Sequence, residues 1–301
     1  MSKGKLILSF LEKHKGNKES CNLCPRQCEA NRRVSLGACK EPFYPRVSSF
    51  QLHHGEEFPL SGFYGSGTIF FSGCNLNCVY CQNFQISQLH EFYREETPET
   101  LAGIMLKLQE KGAHNINLVS PTHFVYAIVE ALKIAYEKGL AIPVVYNTGG
   151  YDRPEIIRDL EGIIDIYLPD VKYYSESVSE KLSNVYNYFE KSSQSLLEMY
   201  RQMGDELIKD ENGIAKRGLM IRHLVLPEYI DESKKILKWI VNNISENIYL
   251  NIMGQYHPCY LVNKNFCSEI NRKLTKDEYG EVLNYARDLG FKNIESQIYL
   301  P

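Results

Sequence analysis

The sequence predicts an α/β fold: a partial (β/α)6 TIM-like barrel with a small N-terminal Cys-rich metal-binding lobe. Strand-like and helix-like segments alternate from residue 68 onward, which is the pattern of a parallel sheet wrapped by helices. Six such units are too few to close an eight-stranded barrel, so we expect an open, curved one. Seven of the nine cysteines fall before residue 82, in two groups. We therefore predict a Cys-rich lobe at 1–60 and the barrel at 61–301.

The predicted strands are short apolar runs that are each followed by polar residues. They cover residues 68–71, 115–119, 143–146, 163–168, 219–226 and 249–253.

The predicted helices lie between these strands, at 98–111, 125–138, 154–160, 195–208, 231–242 and 276–289. Thr97 is a typical N-cap before Pro98, and Gly112, Gly139 and Gly290 are typical helix stops. A polar, Tyr-rich insertion follows the fourth strand at 173–191, and it is predicted either to shape a pocket or to form a surface loop.

Composition and charge narrow the functional classes. The net charge is −3 and the sequence pI is about 6.3, so nothing favours a nucleic acid or an anionic membrane as partner. No apolar run approaches a membrane span, and no cleavage site follows the short apolar stretch near the N-terminus. We expect a cytoplasmic protein. Nine cysteines in 301 residues are too few for a disulfide scaffold, and their clustering indicates metal ligands.

Cys74, Cys78 and Cys81 form a C-x3-C-x2-C run just after the first predicted strand. Three thiolates can hold three irons of a [4Fe–4S] cluster and leave the fourth iron open to a small molecule. A structural zinc knuckle is the alternative, but it needs four ligands, and no fourth Cys or His follows closely. Ligands of parallel α/β folds lie at the carboxyl ends of the strands, and the run is in that position.

A second group consists of Cys21, Cys24, Cys28 and Cys39, in a segment rich in turn formers and poor in apolar residues. A small lobe of this kind usually needs a metal to hold it together. Four thiolates suit structural zinc and an auxiliary Fe–S cluster equally well, so the identity of the metal is left open.

Polar side chains also occur at or near the ends of the other predicted strands, where a ligand would lie. The candidates are Ser120, Thr122, Asn147, Asp170, Lys172, Arg222 and His257.

Several segments together, among them CNLCPRQC (21–28), GSGTIFFSGCNLNCVYCQN (65–83) and MGQYHP (253–258), carry a family resemblance. The sequence resembles the pyruvate formate-lyase activating enzyme group of the radical S-adenosylmethionine (SAM) superfamily, in particular a related sub-branch with extra N-terminal cysteines. The resemblance implies that Cys74, Cys78 and Cys81 ligate the cluster that binds SAM and that Tyr80 lies by the adenine. It places Asp170, Lys172 and His257 around SAM or a nearby cation, and it matches Arg222 to an arginine of the fifth strand.

The implied activity is reductive cleavage of SAM to a 5′-deoxyadenosyl radical, which abstracts hydrogen; if the chain acts as the activating enzymes do, the hydrogen comes from a glycine of a glycyl radical enzyme. A small molecule or another peptide is the alternative substrate, and a non-catalytic Fe–S or zinc module is the alternative of another class. The implied electron donor is a reduced flavodoxin- or ferredoxin-like protein, and the cluster implies sensitivity to oxygen.

Two departures from the activating enzymes concern the surroundings of SAM. Residues 120–123 replace a Gly-Gly-Glu type segment, so the SAM ammonium would need another acceptor, such as Ser120 or Thr122. Asn147 stands where those enzymes carry an Asp, which removes one charge from the expected cation site.

Overall fold

The computed structural model describes residues 2–297 and contains one large, mostly parallel sheet with helices on its outer face. The strands are β1 (Arg46–His53), β2 (Ser66–Phe71), β3 (Arg94–Glu95), β4 (Ile116–Val119), β5 (Val144–Thr148), β6 (Ile166–Pro169), β7 (Ile208–Lys209), β8 (Ala215–Leu224), β9 (Tyr249–Met253) and β10 (Asn293–Gln297). The α-helices are α1 (Lys3–His14), α2 (Phe58–Ser61), α3 (Phe84–Ser87), α4 (Pro98–Glu110), α5 (Val125–Glu137), α6 (Pro154–Asp159), α7 (Glu176–Ser183), α8 (Tyr188–Met203), α9 (Ile230–Asn243) and α10 (Lys276–Asp288). Short 3-10 helices lie at Lys15–Lys18, Thr122–Phe124 and Ser268–Ile270.

The sheet order is β10-β9-β8-β6-β5-β4-β2-β1-β3, with β7 beside β8. Neighbours from β2 to β10 pair in parallel, whereas β1 is antiparallel to both β2 and β3. The six predicted strands are therefore confirmed as neighbours in chain order, and β10 adds a seventh parallel strand among the described residues. The predicted α/β class with a parallel, barrel-like sheet is confirmed.

The prediction for α8 was wrong in its bounds. The helix begins at Tyr188 and ends at Met203, earlier at both ends than the predicted 195–208, and α7 lies within the predicted insertion. The buried face of α8 carries Ser192 and Ser195 before Leu196, so the apolar pattern in the sequence marks only the second half of the helix. Strand β1 escaped prediction because it is mostly polar and half-buried.

The first 60 residues pack on the barrel. Ile7 and Phe10 of α1 are buried in the main core, and β1 pairs with β2 in the main sheet. Residues 21–43, in contrast, form no helix or strand. The division into a lobe at 1–60 and a barrel at 61–301 stays a prediction.

Side chains alternate across the parallel strands, and this alternation positions the site. Outward residues such as Leu118, Ile221 and Ile252 pack with the helices in the main core. Inward residues near the amino ends of the strands, including Val145, Ile166 and Met220, pack around Leu60 of α2, which closes that end. Nearer the carboxyl ends the inward residues are polar: Asn117, Asn147, Asp170, Arg222 and Asn251.

No helix among residues 2–297 has both the length and the apolar content needed to cross a membrane.

Candidate functional site

The cluster loop, residues 73–83, leaves the carboxyl end of β2. Gly73 has a φ of +73°, and a Cβ at this position would collide with the Glu41 side chain. Glu41 is fully buried and pairs with His90 at 2.7 Å. Glycine at position 73 therefore lets the N-terminal segment pack closely against the start of the loop.

Each sulfur of the loop has a hydrogen-bonding group beside it. The Leu76 amide donates to Cys74 Sγ at 3.3 Å, and the Ser183 hydroxyl donates to Cys78 Sγ at 2.9 Å. The Ser87 hydroxyl lies 3.1 Å from Cys81 Sγ. The Leu76 and Ser183 groups are donors, and donors of this kind stabilise metal-bound thiolates and set cluster potentials, so the surroundings of Cys74 and Cys78 fit thiolate ligands.

Burial makes these thiols poor acids without a metal. It raises the pKa of Cys74 to about 12, with a further contribution from the neighbouring Cys78. It raises the pKa of Cys81 to about 11. Both side chains therefore keep their protons at neutral pH unless a bound cation displaces them.

A cavity of about 250 Å³ opens beside the loop. Cys78, Tyr80 and Cys81 line one side, and Asp170, Lys172 and Arg222 line another. These last three side chains come from the carboxyl ends of β6 and β8, as the strand-end rule predicts.

Asp170 is the centre of a buried charged group. It accepts hydrogen bonds from Lys172 Nζ at 2.7 Å and from Arg222 Nε at 2.8 Å. Burial alone would raise the pKa of Asp170, but the two cations outweigh it and hold that pKa below its ordinary value. Burial likewise works against the Lys172 ammonium, yet Asp170 raises the Lys172 pKa overall. The cavity thus offers a carboxylate to an ammonium and two cations to a carboxylate.

A polar layer below the cavity includes residues that the sequence analysis missed. Arg222 also donates to Asn147 Oδ1 at 2.7 Å and pairs with Glu56 at 3.3 Å, while Asn117 donates to Glu56 at 3.1 Å. Burial raises the pKa of Glu56. Glu56 enters the barrel from the turn before α2. Because it lies outside every predicted strand, no signal in the sequence indicated that it belongs to this polar layer.

Tyr80 lines the cavity, but its hydroxyl is engaged elsewhere. The phenol oxygen lies 2.6 Å from the phenol oxygen of Tyr173, and the ring packs edge-on against Tyr256, with centroids 5.9 Å apart.

Four predicted ligand-binding residues do not line this cavity: Asn147, which lies in the polar layer below it, and Ser120, Thr122 and His257. Ser120 has a φ of +58°, and its amide donates to the Asn147 carbonyl at 2.9 Å. Thr122 is buried and donates to Asp152 at 2.7 Å. His257 is exposed and lies 3.4 Å from Gln82 Nε2. Their contacts with a ligand stay predictions.

The Tyr-rich insertion packs on the cluster loop. The Asn77 amide donates to the Ser183 carbonyl at 3.1 Å, and the Val79 amide donates to the Leu182 carbonyl at 2.9 Å. The end of α7 is therefore a support for the loop, so the alternative of a simple surface loop was wrong for this part of the insertion.

The N-terminal cysteine set, Cys21, Cys24, Cys28 and Cys39, also forms a group. Three of the four are buried, and Cys28 is half-buried. Burial raises the pKa of Cys24 to about 12, with smaller contributions from the other three thiols. No three His, Cys, Asp or Glu side chains within residues 2–297 are already arranged to hold one metal ion. A second metal site therefore stays a prediction.

Arg26 and Arg32 join this set to the rest of the molecule. Arg26 donates to the Asn75 carbonyl at 2.7 Å and to the Asn184 carbonyl at 3.1 Å. Arg32 is 2% exposed and donates to the carbonyls of Glu41, Pro42 and His123. The Arg26 guanidinium thus connects the cysteine set, the cluster loop and the end of α7.

Comparison with known proteins adds an independent finding. The family model described as the radical SAM superfamily matches residues 68–240. One uncharacterized protein of Methanocaldococcus jannaschii is 35% identical over an alignment of 282 residues that covers 89% of this chain and 74% of the relative. A second from the same organism is 29% identical over an alignment of 195 residues that covers 57% of this chain and 58% of the relative.

A solved structure shares the fold. It is the complex of Streptococcus suis SuiB with its precursor peptide SuiA, with a TM-score of 0.51 at 13% identity. The alignment covers 74% of this chain and 46% of SuiB, so the chain matches about half the length of that protein.

Proposed function

The chain belongs to the radical SAM superfamily, whose members use a [4Fe–4S] cluster and SAM, and from that premise we propose how its own residues perform the reaction. We propose that Cys74, Cys78 and Cys81 ligate the cluster. When bound, the cluster supplies one electron that splits the sulfonium of SAM into methionine and a 5′-deoxyadenosyl radical. That radical would take a hydrogen atom from the substrate and leave as 5′-deoxyadenosine.

The observation that carries this proposal is the shared cavity. Two of the three cysteines line the same 250 Å³ space as Asp170, Lys172 and Arg222. Lys172 and Arg222 would hold the carboxylate of SAM, and Asp170 would accept from its ammonium. Because the two cations already keep Asp170 charged, these groups need no change of protonation to bind a zwitterion.

We propose a glycine of a partner polypeptide as the source of the hydrogen atom. The segment after Cys81 exposes apolar side chains close in sequence to the cavity rim: Phe92 is 82% exposed and Leu89 is 49% exposed. Exposed apolar residues in the segment that follows the cluster loop support a protein partner, which is either the substrate or the flavodoxin- or ferredoxin-like electron donor. SuiB is a fold relative solved with a precursor peptide. A small molecule is the competing substrate class.

We also propose a metal at the N-terminal cysteine set. Three non-glycine residues beside these cysteines have positive φ angles: Gln27 at 40°, Glu29 at 52° and Lys40 at 60°. Such a backbone persists only where the surroundings enforce it, and four clustered thiolates on one metal would do so. Zinc and an Fe–S cluster stay the two alternatives, and iron, sulfide and zinc analysis of the purified protein separates them.

The test of SAM cleavage uses protein that is reconstituted with iron and sulfide under strict exclusion of oxygen. With dithionite and SAM, we expect 5′-deoxyadenosine and methionine in equal amounts. Cys81→Ser should yield no 5′-deoxyadenosine. Its matched control is Cys259→Ser, because Cys259 donates to the Tyr80 carbonyl at 3.2 Å but lies outside the proposed ligand set. Fully loaded protein that yields no 5′-deoxyadenosine would overturn the proposal.

The substrate class is tested with a purified glycyl radical enzyme as the candidate partner. Deuterium on the glycine of that partner should appear in 5′-deoxyadenosine, and a glycyl radical signal should appear in the partner. Cleavage of SAM without deuterium transfer would instead favour a small molecule or another peptide.

A further inference from the structure

A chain of three hydroxyl groups ends on one of the cluster-loop sulfurs. The Tyr80 phenol oxygen lies 2.6 Å from the Tyr173 phenol oxygen, which lies 2.5 Å from Ser183 Oγ. Ser183 Oγ in turn lies 2.9 Å from Cys78 Sγ. All four side chains are buried, and Ser183 and Tyr173 are at most 1% exposed. We refer to Tyr80, Tyr173 and Ser183 as the hydroxyl chain.

Ligation of Cys78 fixes the direction of every proton in the hydroxyl chain. A metal-bound thiolate has no proton, so Cys78 can only accept, and the single hydroxyl proton of Ser183 must point at it. Ser183 Oγ then accepts from Tyr173, since Tyr173 is the next group and Ser183 has no second proton. By the same step Tyr173 accepts from Tyr80. The three protons therefore all point toward the sulfur.

We propose that Ser183 is a positioning residue that sets the reduction potential of the cluster, and that Tyr173 and Tyr80 strengthen its hydrogen bond. This inference rests on the proposed ligation of the cluster by Cys78. Hydrogen bonds to the ligating sulfurs stabilise the more negative, reduced state and raise the potential. Aligned hydroxyls in a buried site polarise one another, so the bond from Ser183 is stronger than that of an isolated serine.

The same orientation adds a second role for Tyr80 to the one the family resemblance implies. Its hydroxyl proton is directed to Tyr173, away from the cavity, so only its ring faces a ligand. The helix that carries Ser183 is held in register by the bonds of its terminal carbonyls to Asn77 and Val79. The Tyr-rich insertion therefore supplies a tuning group to the cluster as well as support to its loop.

The test is a redox titration of the reconstituted protein, followed by electron paramagnetic resonance without SAM. Ser183→Ala should shift the midpoint potential to a more negative value. Tyr173→Phe should shift it in the same direction by less, because Ser183 still donates but has lost its polarising neighbour. The matched control is Ser179→Ala on the same helix, whose hydroxyl donates to the carbonyls of Glu176 and Val185 and should leave the potential unchanged.

Iron and sulfide content is measured for each variant. A fully loaded Ser183→Ala protein with the potential of the Ser179→Ala control would overturn the inference. If Ser183→Ala loses its cluster, Tyr173→Phe provides the test. A wild-type potential in Tyr173→Phe would also overturn the inference. The titration needs no substrate and no SAM cleavage, so a missing reaction with a shifted potential would count against the proposed function and leave this inference standing.

Discussion

The two cysteine groups of this chain use the same side chain in two different surroundings. The cluster loop lies at a strand end, beside a cavity with Asp170, Lys172 and Arg222. The N-terminal cysteine set lies in a segment without helix or strand, packed around a buried Arg32. A site that opens on a charged cavity is suited to bind and activate a ligand, whereas a set enclosed by backbone is suited to hold the chain in place. Arg26 connects the two groups.

The largest effect should come from a ligand of the cluster loop. Cys81→Ser should abolish 5′-deoxyadenosine formation to background, because the cluster would lose one of its three proposed protein ligands. Cys24→Ser, in the N-terminal set, should keep iron in the cluster loop and retain measurable SAM cleavage, but should unfold at a lower temperature. Equal loss of loop iron in both variants would remove the distinction between the two groups.

Lys172→Met tests whether the charged cavity beside the cluster loop binds SAM. A hydrogen bond from a charged group contributes about 2 kcal/mol, so the affinity for SAM should fall roughly 30-fold. Asp170 keeps Arg222 as a partner, and the iron content should not change. Titration calorimetry with SAM measures the effect, and the control is Lys181→Met, which removes a half-exposed ion pair with Glu269. Unchanged affinity in Lys172→Met would mean that SAM does not contact this cavity wall.

Arg26→Ala tests the contact by which Arg26 joins the N-terminal cysteine set to the cluster loop. It removes two hydrogen bonds to carbonyls, at Asn75 and Asn184, and should lower the free energy of unfolding by about 2 kcal/mol. Since Asn75 lies inside the cluster loop, cluster content should fall as well. Chemical denaturation and iron analysis provide the readouts, with the half-exposed Arg33→Ala as control. Full cluster content in Arg26→Ala would show that the loop keeps its shape without the contact that Arg26 makes.

The smallest effect is expected at Thr122, which faces neither group. Thr122→Val removes the hydroxyl that donates to the buried Asp152, which keeps Thr148 and Tyr146 as donors, and should cost about 1 kcal/mol of stability. The affinity for SAM should stay at the wild-type value. A weaker affinity for SAM with normal stability would restore Thr122 to the ligand site that the sequence analysis predicted.

The sequence predicted the parts that are local. The six strands were found because each is a short apolar run, and the cluster loop was found from three cysteines within eight positions. Ser183 and Glu56 were missed because their contacts are distant in sequence: Ser183 lies 105 positions from Cys78, and Glu56 lies 166 positions from Arg222. The residues that neighbour Ser183 and Glu56 in the sequence do not indicate these partners.

The strand-end rule predicted which residues lie near the carboxyl edge, but it did not predict which way each side chain points. Asp170 and Arg222 face the cavity, whereas Thr122 bonds to Asp152, which also accepts from Thr148. His257 follows a strand end too, and it is exposed. Orientation beyond the last paired residue depends on turn geometry, such as the positive φ of Ser120, which composition does not reveal.

The most direct test of the account is an electron paramagnetic resonance spectrum of the reduced, reconstituted protein, recorded before and after SAM is added. If Cys74, Cys78 and Cys81 leave one iron open to the cavity, SAM should change the signal, and Cys81→Ser should lack it. A cluster signal that SAM leaves unchanged, from protein with full iron and sulfide content, would mean that the cluster has no open position and would contradict the account.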